Sequence, residues 1–215
     1  MSQKISLQET ERKVFRSTFE DGLTDIFLGC FLLIFVIAPF LSSTLGDFWS
    51  SVVFLPFWAL VYAILWLMRR NVLTPRVGRV KFGTYRKTRL IRFNVIMVVL
   101  LTLSLGLGIL SFVRFDAVPG WVHSARFSLV FLISFSLAGL FLDFPRLFLY
   151  GVLVAIAPLI GELLYQYLKV SHHGYPVTFG FISTLMILIG VTRFIRLIHT
   201  HPLPPDFSQH SGAGE

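Results

Sequence analysis

Within the otherwise uncharged run from Leu147 to Leu168 a single carboxylate stands, Glu162. An ionised acid in apolar surroundings is costly, so such a group faces other helices or water, or holds a proton. At helical spacing Glu162 shares one face with Gly151, Ala155, Pro158, Gln166 and Lys169. Pro158 donates no N–H, which frees the carbonyl of Val154 along the same stripe. Two chemistries fit. One is a proton- or cation-linked site, as a small permease or proton-coupled transporter would use, built on Glu162, Pro158 and Gln166. The other is a close-packing face on which Glu162 bonds to a neighbouring helix.

A second set of charges gathers at the opposite ends of the apolar runs. Asp21 and Asp25 sit one turn apart at the start of the first run, where a helix dipole favours acids. Asp143 and Arg146 flank a tight turn, and Arg193 and Arg196 end the last run at matching depth. These six read as an ion-pair cluster. Histidines supply a weaker signal. His123 and the pair His172–His173 fall on two connectors of the same side, where imidazoles could hold zinc or copper, but no acid adjoins them in sequence. No apolar run contains a histidine, which disfavours haem ligation. Cys30 is the only cysteine, so there is no internal disulfide and no thiolate cage. Neither a Gly-x-Ser-x-Gly elbow nor a His-Glu-x-x-His pair is present. The chain reads as a non-enzymatic protein without cofactor or metal.

The connector from Arg69 to Arg92 holds nine cations and no acid. Clustered Lys and Arg beside a membrane helix attract anionic headgroups, each contributing about 1 kcal/mol. Arg76, Arg79, Lys81, Arg86, Lys87 and Arg89 are the residues expected to bind anionic lipid or an acidic partner protein. Pro75, Gly78 and Gly83 punctuate the segment, and a short hairpin pairing Arg76–Phe82 with Tyr85–Arg89 is one arrangement they allow. It contains no Walker-type phosphate loop.

These residues require elements that hold them in an apolar medium. Of 215 residues, 55% are hydrophobic and only 14% charged, where a soluble domain carries about 25% charge. That excludes a disordered chain, a secreted disulfide scaffold and an ordinary soluble enzyme. About 20 helical residues cross a bilayer core, and six runs qualify: 23–45, 48–68, 93–113, 127–142, 147–168 and 177–198. They are continuous rather than alternating, which argues against barrel strands. The expected fold is an all-α polytopic membrane protein, a six-helix bundle over residues 23–198. Spacings such as Thr102–Gly106, Ser134–Ala138, Ala157–Gly161 and Gly180–Thr184 suit close helix contacts, and a homo-oligomer is compatible with them.

With the amino terminus taken as cytoplasmic, 16 of the 19 Lys and Arg fall on cytoplasmic segments and 3 on the other side. By the positive-inside rule both termini face the cytoplasm, in a cell inner membrane. The net charge of +8 follows from these flanks and not from a basic face, so nucleic acid is not an expected partner. Residues 1–22 carry an amphipathic pattern suited to lying along the headgroups or capping the bundle. No cleavage site follows the first run, which is expected to remain as an anchor. Residues 199–215 are polar and Pro/Gly-rich, and are expected to be a disordered tail.

Overall fold

An uncharged run can bury its backbone polar groups only by bonding them to one another, and here the runs do so as helices. The computed structural model describes residues 21–77, 84–113 and 119–202. Six principal helices follow in order: α1 (Leu23–Leu32), α2 (Ile34–Met68), α3 (Thr84–Val113), α4 (Gly120–Phe141), α5 (Arg146–Leu168) and α6 (Tyr175–Thr200). Among the described residues there is no strand. Six helical stretches are long and apolar enough to cross a membrane: Leu23–Gly46, Val52–Arg76, Lys87–Gly106, Gly120–Phe141, Arg146–Leu168 and His172–Thr200.

The first two of these stretches meet within α2. Gly46, at φ 79° and ψ 163°, breaks the helical backbone there. α2 then runs into a π-helical turn, Arg69–Leu73, and a last helical turn, Thr74–Val77. α4 and α5 form an antiparallel pair. Asp143 takes a left-handed φ of 51°, and the Phe144 N–H reaches back 3.1 Å to the Gly139 carbonyl, which closes the end of α4. Gly139 faces the Phe148 ring and Gly151 faces Phe135, so the two helices approach closely.

The interior lies between α1, α4, α5 and α6. Its main cluster joins Leu32, Phe131, Phe135, Leu147, Tyr150, Val154, Phe179, Ile182 and Met186. Aromatic rings fill its middle: Phe35 stacks on Phe179 at 4.7 Å, and Phe127 meets Phe131 edge-on at 4.7 Å. A smaller cluster of Leu23, Leu73 and Phe194 joins α1, the end of α2's continuation and α6. The second and third apolar stretches are peripheral, with none of their apolar windows buried. α3 packs on α4, and Trp58 of α2 packs on Phe27 and Phe31 of α1.

Two expectations change. The hairpin is absent: Tyr85–Arg89 lie in the first turns of α3, because straight-chain Arg and Lys are good helix formers and the apolar run simply extends back through them. Of the other half of that pairing, Arg76 and Val77 end the helical turn Thr74–Val77, and residues 78–82 lie outside the described segments. The fourth helix begins at Gly120 and not at Phe127, since Pro119 supplies its non-helical start and Arg126 is exposed where a charge costs little. Of the expected amphipathic segment 1–22, residues 1–20 lie outside the described residues, as do residues 203–215 of the expected tail 199–215, whose first two residues, His199 and Thr200, still belong to α6.

Candidate functional site

Both ends of the bundle hold a buried acid. At the end where the chain enters α1, Asp25 is wholly enclosed, although it stands only one turn into the helix. Arg146, the first residue of α5, reaches it with Nη1 at 2.6 Å from Oδ2. That guanidinium also lies over the Phe144 ring at 4.7 Å. Tyr150, one turn further along the same face of α5, brings its buried hydroxyl beside the Asp25 carboxylate without aligning for a hydrogen bond. Both Asp25 Oδ1 and the Tyr150 oxygen are buried without a hydrogen-bond partner. Arg193 of α6 adds a third charge within electrostatic reach. Three helices thus meet on one carboxylate.

The other expected members of this cluster take separate roles. Asp21 Oδ1 accepts the Leu23 N–H at 3.0 Å, which satisfies an orphan donor at the start of α1. Burial pushes the Asp21 carboxyl above its ordinary value, against the Leu23 N–H and the nearby Arg69, which favour the charged form. Asp143 pairs with Arg89 of α3 at 2.9 Å, and Arg89 also donates to the Leu140 carbonyl. Arg196 is exposed.

The basic connector is divided accordingly. Arg89 is held in the protein, and Arg76 donates to the Val72 carbonyl at 3.1 Å. Lys87 is exposed, as are Arg69, Arg70 and Arg92, and Arg70 lies over the Trp66 ring at 5.2 Å. Arg79, Lys81 and the side chain of Arg86 fall outside what is described.

At the opposite end Glu162 is 5% exposed and its two oxygens are divided. Oε1 accepts from Gln166 Nε2 at 3.1 Å, one turn along α5, and Oε2 meets His173 Nδ1 at 3.0 Å. The first residue of α4, Gly120, lies against Oε1, which places the carboxylate at the positive end of that helix. Gly161 makes the His173 contact possible. A Cβ there would come within 2.8 Å of both the His173 carbonyl and the Tyr175 ring. The imidazole lies between two phenol rings, 4.3 Å from Tyr165 and 5.9 Å from Tyr175. Tyr175 in turn shares a hydrogen bond of 3.0 Å with Ser124 of α4. Of the expected stripe, Gly151, Ala155 and Pro158 are buried with Glu162, while Gln166 and Lys169 are exposed.

Among the described residues no three His, Cys, Asp or Glu side chains converge as a metal site would require. His172 turns to the Phe40 ring, 5.9 Å away. Three partners escaped the sequence reading: Tyr150 beside Asp25, His173 on Glu162, and Arg89 on Asp143. Only the first carried a signal, since Arg146 and Tyr150 share a helical face at i,i+4. Comparison of the chain with family models, with curated proteins and with solved structures finds no match.

Proposed function

We propose that this protein is a six-span membrane module, both termini cytoplasmic, whose cationic end binds anionic lipid headgroups. One observation carries the reading. Among the described residues at that end, the acids Asp21, Asp25 and Asp143 are withdrawn into the protein, while Arg69, Arg70, Lys87, Arg92, Arg193 and Arg196 are exposed. The surface left facing the headgroup layer is therefore cationic, and the aromatic face of Trp66 beside Arg70 suits the same depth.

The test is lipid retention. Native mass spectrometry of the detergent-solubilised protein, offered equal phosphatidylglycerol and phosphatidylcholine, should show preferential capture of the anionic lipid. Replacing Arg69, Arg70, Lys87 and Arg92 with Gln should reduce that preference more than tenfold, at about 1 kcal/mol for each cation lost. An unchanged lipid profile in this variant overturns the reading. A protein partner at the same end would instead appear as a stoichiometric complex lost in the variant, with no lipid preference.

A second reading, a proton-coupled permease, draws on the burial of Glu162 beneath a half-exposed imidazole, an arrangement that can exchange protons with water. Against it stand the aromatic rings that fill the interior between Glu162 and Asp25.

A further inference from the structure

The segment that carries His173 is bent in an unusual way. Lys169, His172 and His173 adopt left-handed φ angles of 52°, 55° and 52°, and Gly174 follows at 63°. Three non-glycine residues within five positions in that conformation are held only where the surroundings over-determine them. Several contacts do so. The Lys169 N–H donates to the Tyr165 carbonyl at 3.1 Å, the Val170 N–H to the Leu164 carbonyl at 3.4 Å and the Gly174 N–H to the Ser171 carbonyl at 3.2 Å, the His173 carbonyl and Tyr175 ring press on Gly161, and the imidazole grips Glu162. Of these, only the imidazole contact depends on a proton.

We propose that Glu162 and His173 form a proton-binding site that latches the 169–174 segment onto the ends of α4 and α5. With the imidazole protonated, Nδ1–H donates to the buried carboxylate and an ion pair closes the segment down. When the proton leaves to water through the side chain's exposed part, which is 43% of its surface, the attraction falls. A neutral ring with its hydrogen on Nε2 turns a lone pair toward the carboxylate, and the strained backbone is free to relax. Histidine is the side chain suited to this change between about pH 5 and 8. The other charged or titratable groups on the elements packed around the pair, at this end, are Tyr165 and Tyr167 on α5, Tyr175 on α6, Lys169 and His172 in the segment, and His123 and Arg126 on α4. The hydrogen bond from Gln166, which does not titrate, holds Glu162 in place in both states. The latch lies at the end opposite Arg69, Arg70, Lys87 and Arg92 and does not rest on the lipid reading.

The experiment is a nitroxide at Ser171→Cys, an exposed position, in a Cys30→Ala background of the full-length protein. Its spectrum should be immobile near pH 5.5 and gain a mobile component by about pH 8. The equilibrium should shift roughly two- to fivefold, the range a partly exposed ion pair supplies. His173→Gln, which can still donate a hydrogen bond but does not titrate, should make the spectrum independent of pH. His172→Gln should leave the response intact. A wild-type spectrum that does not change with pH, a response that survives in His173→Gln, or one that vanishes in His172→Gln overturns the proposal.

Discussion

Glycine at position 190 decides how closely α1 and α6 approach. A Cβ built there would stand 2.7 Å from the Gly22 carbonyl and 2.8 Å from the Ile26 nitrogen, both backbone atoms of the chain entering α1. Gly22 is constrained twice, since it has φ 80° and its own Cβ position falls on the Gly190 carbonyl. Two turns further in, Ser183 donates to the Gly29 carbonyl at 2.8 Å across the same seam. Gly190→Ala should therefore destabilise the protein by about 1–3 kcal/mol, as overpacking does. Gly106→Ala, where nothing lies within 4 Å, should be neutral or stabilising by up to about 1 kcal/mol. Reversible unfolding in mixed micelles reads both, and equal effects would mean that the seam is looser than this. Small-residue spacing alone did not separate these cases. Thr102–Gly106 and Ala157–Gly161 have the same pattern, yet Gly161 receives a carbonyl and a ring while Gly106 faces open space. Which small residues are used depends on helix order in three dimensions, and a linear spacing holds no record of that.

Between elements, the Asp25–Arg146 pair ties α1 to α5 across more than a hundred residues of chain. Arg146→Leu leaves a carboxylate enclosed without its partner, and should cost about 3–5 kcal/mol. The double variant Asp25→Leu/Arg146→Leu should cost much less than the two single losses together, because no charge is left buried. Near-additive losses would show that the pair carries no specific coupling. The corresponding change at Arg89–Asp143, where the guanidinium is 28% exposed, belongs in the range of a rim ion pair, about 1 kcal/mol or less. Element number was legible because a missing charge over some twenty residues has one cheap solution in an apolar medium. Element starts were less so. Arg126 and Arg92 look like boundaries when charge is the criterion, yet both lie inside helices, within the first three turns of α4 and α3, where both side chains are exposed and a long basic side chain can remain near water. The pairing of charges was least legible of all. Asp143 adjoins Arg146 in sequence, but the turn at Asp143 points its carboxylate to α3, while α5 carries Arg146 toward α1.

Taken whole, the molecule separates its polar chemistry into two ends and keeps its middle apolar. On α5, Tyr150 and Glu162 are twelve residues apart, about 18 Å along a helix, and Val154 and Ala157 between them are packed into the main cluster. The rings of Phe35, Phe127, Phe131 and Phe179 occupy the same level from α2, α4 and α6. The buried hydroxyls near these rings are engaged elsewhere (Ser124 with Tyr175, Ser183 with the Gly29 carbonyl) or isolated (Ser128), whereas transfer of a proton from Glu162 toward Asp25 requires a continuous chain of donors and acceptors. This arrangement favours two independent sites over one pathway, and it sets a clear expectation for the permease reading. Proteoliposomes containing the protein, given a pH gradient and a pH-sensitive dye inside, should dissipate that gradient no faster than protein-free vesicles, and Glu162→Gln should leave the rate unchanged. A flux that the protein adds and Glu162→Gln removes would show that the aromatic layer opens, and would move the permease ahead of the lipid-binding module. The latch and the carrier remain separable in that event. The Ser171 label reports the segment's motion in either case, whereas only a carrier couples that motion to dissipation of the gradient.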